Sequence, residues 1–129
     1  MSDVDPLTST EGVDNSAATV NGVGFPRSVT QAVNSGAPTN EAEYNIGRRW
    51  NKFKATVGLR DDSPTGGKLT FEVSADGKSI YKKTTALGQT QNVTLNLNGA
   101  LRLKLTVTYS GQDPSNYYYG TWGNAELVS

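Results

Sequence analysis

The chain has 129 residues, enough for one domain, with 12 lysines and arginines, 12 aspartates and glutamates, and neither histidine nor cysteine. Zero net charge argues against a nucleic-acid binder or a polybasic membrane-surface module, and no apolar run is long enough to cross a bilayer. Without histidine or cysteine there are no disulfides, no thiol chemistry, no imidazole acid–base catalysis and no Cys/His zinc site. No charged start followed by an apolar stretch appears after Met1, so no signal peptide is expected. Threonine, serine and asparagine (15, 11 and 11 residues) are abundant, whereas Leu, Ile, Val and Phe total only 26. Disorder and a fold of many short strands share such a composition, and the pattern along the chain decides between them.

Residues 1–16 lack alternation and are rich in Asp, Ser, Thr and Gly. They read as a flexible leader or linker, with a single domain over 17–129. Short apolar stretches follow around Val20, Val23 and Phe25, with Asn21-Gly22 and Pro26 as punctuation. Val29 and Val33 suggest another strand, and Glu43-Tyr44-Asn45-Ile46 ends at Gly47. Strict period-two alternation then begins. Phe53, Ala55, Val57 and Leu59 form one run, and Leu69, Phe71, Val73 and Ala75 a second. Val93, Leu95 and Leu97 form a third, and Leu101 to Tyr109 a fourth. Each run has one apolar and one polar face, the mark of a half-buried antiparallel strand. Asp61 to Gly67 is a loop, Asp76-Gly77 a hairpin turn before the short pair Ile80-Tyr81, and Asn98-Gly99 a two-residue turn of the primed type. The last strand runs from about Tyr118 to Val128. Eight or nine short strands predict an all-β antiparallel sandwich.

Few residues are placed to carry chemistry. Tyr117, Tyr118 and Tyr119 cannot all face a core, because successive strand side chains point to opposite faces. Exposed tyrosines beside Asn116 and Asp113 suit carbohydrate, whose C–H faces stack on rings while its hydroxyls bind amides and carboxylates. The alternative is that the rings plug the end of the sandwich. Trp122, at the start of the last strand, reads first as a core or edge plug and second as a stacking platform. Trp50, beside Arg48 and Arg49, reads as packing or as an arginine-stacked surface ring. Asp61 and Asp62, the adjacent carboxylate pair, are candidate calcium ligands or simply part of a turn. Neighbouring carboxylates do not meet the opposed geometry of a glycosidase, so no enzyme is expected. Asn92-Val93-Thr94 matches the N-glycosylation sequon, a triplet that arises readily in a chain this rich in Asn and Thr.

Several motifs together carry a family resemblance. They begin with the segment Glu43 to Ser63, which passes through Arg48-Arg49-Trp50 and Thr56-Val57-Gly58 to the Asp61-Asp62 pair. Leu69 to Val73, Asp76-Gly77-Lys78, Ile80-Tyr81, Leu101 to Val107 and Trp122 to Leu127 follow in order. Upstream, Val20-Asn21-Gly22-Val23 and Phe25 to Val29 resemble the opening of actinobacterial members. Over about residues 18–128 the chain resembles NPCBM domains, which are related to family 51 carbohydrate-binding modules. The resemblance implies a galactose-binding-like jelly-roll β-sandwich. It also implies a non-catalytic, extracellular or cell-surface module of a multidomain protein, which holds glycans, including galactose-containing ones. No cofactor is required, and a structural calcium occurs in some relatives. Many relatives carry a histidine and an acidic residue just before the tryptophan, where this chain has Tyr119-Gly120-Thr121, so that histidine's role is not carried over. The expected sugar site joins Trp122 and Tyr117 to Tyr119, for stacking, with Asn116, Asp113, Arg60 and Asn124 for hydroxyl contacts. The competing reading is a structural or protein-interaction sandwich without sugar binding.

Overall fold

Where polar and apolar residues alternate, the chain is extended. The computed structural model describes residues 8–9, 13–14, 18–20, 22–25, 28–34, 36, 38–48, 50–61, 63, 67–110 and 117–128. Among them are the strands β1 (Thr8–Ser9), β2 (Val13–Asp14), β3 (Ala18–Val20), β4 (Val23–Phe25), β5 (Ser28–Val33) and β6 (Thr39–Asn45). The series continues with β7 (Lys52–Leu59), β8 (Lys68–Ala75), β9 (Lys78–Ala86), β10 (Thr90–Asn96), β11 (Arg102–Ser110) and β12 (Tyr118–Val128). One sheet has the order β1-β6-β11-β8-β9 and the other β10-β7-β12-β5-β2, and β3 pairs with β4 as a separate hairpin. All ladders are antiparallel. The two sheets form a jelly-roll-type sandwich, and the inward rows of both meet in one core around Val57, Leu59, Phe71, Leu105, Val107 and Trp122.

Two expectations change. β1 and β2 lie inside the stretch read as a leader, on the outer edges of opposite sheets. Two-residue strands held by backbone bonds leave no alternation in the sequence to find. The Asn98-Gly99 turn has positive φ at both residues, 52° and 69°, as the primed type requires. The strands it joins nevertheless belong to different sheets. Asp76-Gly77, with φ of 50° and 83°, does close a true hairpin between β8 and β9.

The β3–β4 hairpin lies across the outer face of the second sheet. A side chain at Gly58 would meet Val20 at 2.6 Å, and one at Gly123 would meet the Phe25 ring at 2.7 Å. Both glycines are needed for this close approach. Beneath the hairpin, the buried Thr30 and Thr121 hydroxyls are hydrogen-bonded to each other at 3.1 Å.

Inside, a polar network joins the sheets. Gln31 Nε2–H donates to the Asn40 carbonyl and Oδ1, both at 3.0 Å, and to the Leu105 carbonyl at 3.1 Å. Its Oε1 accepts from Trp122 Nε1–H at 2.7 Å. Two hydrogens serve three acceptors, so one of those bonds is shared.

Tyr44 is fully buried, and its hydroxyl has no hydrogen-bond partner among the described residues. Burial pushes its pKa from 10.0 up to about 12. The unfolded chain therefore releases this proton at lower pH than the folded one. Stability is unaffected below that range and falls as pH rises from 10 to 12, by about 1.4 kcal/mol per pH unit at most. Tyr81, also raised by burial, acts in the same direction. Tyr44→Phe is expected to flatten this alkaline slope in denaturant titrations. At neutral pH it should be neutral or stabilising by about 1 kcal/mol, since it removes an unsatisfied hydroxyl.

Candidate functional site

Strand alternation sorts the tyrosines. Tyr118, Gly120 and Trp122 point inward, so Tyr117 and Tyr119 belong to the outer side. Tyr118 is fully buried against Tyr109, with ring centroids 4.9 Å apart. Trp122 is also fully buried, edge-on to Phe53 at 6.0 Å and to Phe71 at 5.3 Å. The expectation that these two rings stack on a sugar is corrected: neither has a face open to solvent. Tyr117 is 51% exposed, immediately before β12. Tyr119 is half-buried under the Arg60 guanidinium, whose carbon lies 4.1 Å from the ring centroid, a cation–π contact.

The backbone around Arg60 holds this pair in place. Arg60 N–H donates to the Tyr119 carbonyl at 2.8 Å, and Arg60 bridges to Val20 on its other side. Asp61 N–H donates to the Thr19 carbonyl at 2.8 Å, and Gly22 N–H donates to Asp61 Oδ2 at 2.9 Å. Ser63 closes the loop: its N–H donates to the Arg60 carbonyl at 2.8 Å, and its Oγ accepts from Tyr119 N–H at 3.0 Å. β12, the end of β7 and the β3–β4 hairpin thus form one continuous ribbon at this end of the sandwich. Val23, 54% exposed, sits on its outermost strand. The structural part played by Ser63 was not anticipated, although a hydroxyl just after an Asp pair is a common turn signal.

The expected site is therefore divided. Arg60, Tyr117 and Tyr119 share one end. Asn124 is exposed further along β12, with φ of 47° at an irregularity in the strand. Asn116, Asp113 and Asp62 lie outside the described residues. Trp50 is half-buried and packs against the core.

The calcium expectation rested on Asp61 and Asp62. Asp61 caps the hairpin turn through Gly22. Among the described residues no group of three or more acidic, histidine or cysteine side chains could hold an ion.

The fold has known counterparts. A family 51 carbohydrate-binding module of Clostridium perfringens, solved with methyl-galactose, superposes with a TM-score of 0.77 at 17% identity, covering 98% of this chain and 97% of that one. The Clostridium perfringens ZmpB structure with its M60 catalytic domain and two family 51 modules gives 0.78 at 21%, covering all of this chain and 15% of that one. A ZmpB family 51 module with its INT domains, solved with GlcNAc, gives 0.72 at 16%, covering 98% and 30%. A curated Renibacterium salmoninarum protein named "Putative endo-alpha-N-acetylgalactosaminidase" is 32% identical over 87 residues. That match takes in 66% of this chain and 6% of the much longer relative. The NPCBM/NEW2 domain model matches residues 1–128, nearly the whole chain, and the protein belongs to that family.

Proposed function

We propose that this domain is a non-catalytic carbohydrate-binding module that attaches a larger extracellular protein to glycans. The observation that carries the reading is the exposed Tyr117, two residues before Tyr119 with its Arg60 cation–π contact. A tyrosine offers an apolar face to a sugar ring, and a guanidinium already held in position donates to hydroxyls with little further ordering cost. Galactose-type sugars and GlcNAc are the first ligands to try, since structural neighbours were solved with methyl-galactose and with GlcNAc. The small share of the curated relative that is matched supports a role as one module among several. Secretion is part of the same reading, and recognition through Tyr117 and Arg60 needs no metal.

A site with one exposed ring and few hydrogen bonds binds weakly, on the order of micromolar to millimolar. Calorimetric titration with methyl-galactoside and GlcNAc should give a saturable isotherm with at least one of them. Tyr117→Ala and Arg60→Ala should each weaken it about tenfold, with little change in melting temperature. Binding that is unchanged in both variants would remove the site from this end.

The second reading, a structural or protein-interaction sandwich, is favoured by the burial of Trp122 and Tyr118. It predicts no isotherm with any glycan, together with self-association or capture of a protein ligand in sedimentation.

A further inference from the structure

The outer face of the β10-β7-β12-β5 sheet is only partly covered. The β3–β4 hairpin closes it over Gly58 and Gly123, and beyond Gly123 the face opens into a groove of about 220 Å³. A β-bulge shapes its floor. Gly123 pairs with Thr56 and Glu126 with Lys54, so that Asn124 and Ala125 both stand against Ala55. Asn124 accommodates the extra residue with φ of 47°, a left-handed conformation that asparagine tolerates better than most residues. Strained backbone of this kind gathers at ligand sites.

The side chains on this face are polar and balanced. Asn92 stands opposite Thr56, and Lys54 stands between Thr94 and Glu126. Thr56 Oγ1–H donates to Asn92 Oδ1 at 3.0 Å, which fixes the amide and leaves its NH₂ to donate elsewhere. Lys54 and Glu126 face one another across the strands, yet they form no ion pair. On the outer face of the other sheet two pairs do form, Arg102 with Glu43 at 3.5 Å and Lys104 with Glu41 at 3.6 Å, while Glu72 and Lys82, opposite one another, form none. Among the described residues the groove thus holds a cation and an anion without an ion pair, hydroxyls and amides, and no exposed large apolar side chain.

This chemistry selects its occupant. Glu126 opposes an anionic ligand and Lys54 a cationic one. Protein interfaces centre on aromatic or arginine anchors, and the groove supplies none of its own. A neutral polyhydroxylated ring can accept from Lys54 and Asn92 and donate to Glu126 and the threonines at once. We infer that the groove is a second carbohydrate site, separate from Tyr117 and Arg60, for a single neutral sugar unit. The inference goes beyond the reading of the sandwich end and stands independently of it. Two sites on one module would let it hold a branched or repeating glycan at two points, with avidity above either site alone.

The test is an amide-resolved NMR titration of the whole chain with methyl-galactoside, N-acetylgalactosamine and N-acetylglucosamine at millimolar concentrations. The expected result is a saturable shift of the Asn92 and Asn124 side-chain amides that persists in Tyr117→Ala. In the double variant Lys54→Met, Glu126→Gln, affinity at these amides falls about fivefold or more, while the response at Tyr117 and Arg60 is kept. Shifts confined to Tyr117, Tyr119 and Arg60 would overturn the groove and leave the end site standing. Shifts confined to the groove would do the reverse. No saturable shift anywhere would overturn both.

Discussion

Trp122→Ala should destabilise the domain by about 3–5 kcal/mol, the cost of truncating a fully buried aromatic. The ring is packed edge-on against Phe53 and Phe71, so its loss removes two aromatic contacts and leaves a cavity between the sheets. The effect is measured as a lowered urea midpoint with little change in slope. Part of the loss is polar, because the indole N–H donates to Gln31. Trp122→Phe should therefore cost less than alanine but more than its change in volume accounts for. Under conditions where the alanine variant is still folded, sugar affinity at Tyr117 should be nearly intact. A large loss of affinity with unchanged stability would mean that the tryptophan faces a ligand after all.

The second large effect belongs to Gln31. Gln31→Leu keeps the approximate volume but orphans the Trp122 N–H and withdraws the donor from the Asn40 and Leu105 acceptors. Each buried group left unsatisfied costs roughly 1–3 kcal/mol, and about 2–4 kcal/mol in total is expected after relaxation. Combining Gln31→Leu with Trp122→Phe removes both ends of one bond. The pair should be less damaging than the two single variants added together, by about 1 kcal/mol. Strict additivity in denaturant titrations would show that the two residues do not act through their shared bond.

Much of the architecture was legible because alternation is a local signal. The apolar rows of Lys52 to Leu59 and Lys68 to Ala75 coincide with β7 and β8, and Tyr118 to Val128 with β12. β9 was visible only as Ile80-Tyr81. As an edge strand it exposes Lys78, Lys82 and Lys83, which discourage edge-to-edge pairing but erase the alternation. Trp122 illustrates the limit for the site. It shares a face with Tyr118, but Gly120, Gly123 and the bulge at Asn124 remove the contrast that would have told inside from outside. Arg60 and Tyr119 lie nearly sixty positions apart, and the antiparallel pairing of β7 with β12 brings them together. The groove is hidden for the same reason, since its residues come from three strands whose register no local pattern records.

The position of β12 has a consequence for how the chain acquires its shape. It lies between β7 and β5 in its sheet, although it comes last in the sequence. During synthesis β5 and β7 emerge early, yet neither can be joined to the other until residues 118–128 leave the ribosome. Half the sandwich therefore waits with two open edges. The β6-β11-β8-β9 sheet, whose strands all precede β12, can pair sooner. Assembly of this domain ends by inserting its centre rather than by adding an edge, a non-local closing step of the kind that makes β-sandwiches slow to fold.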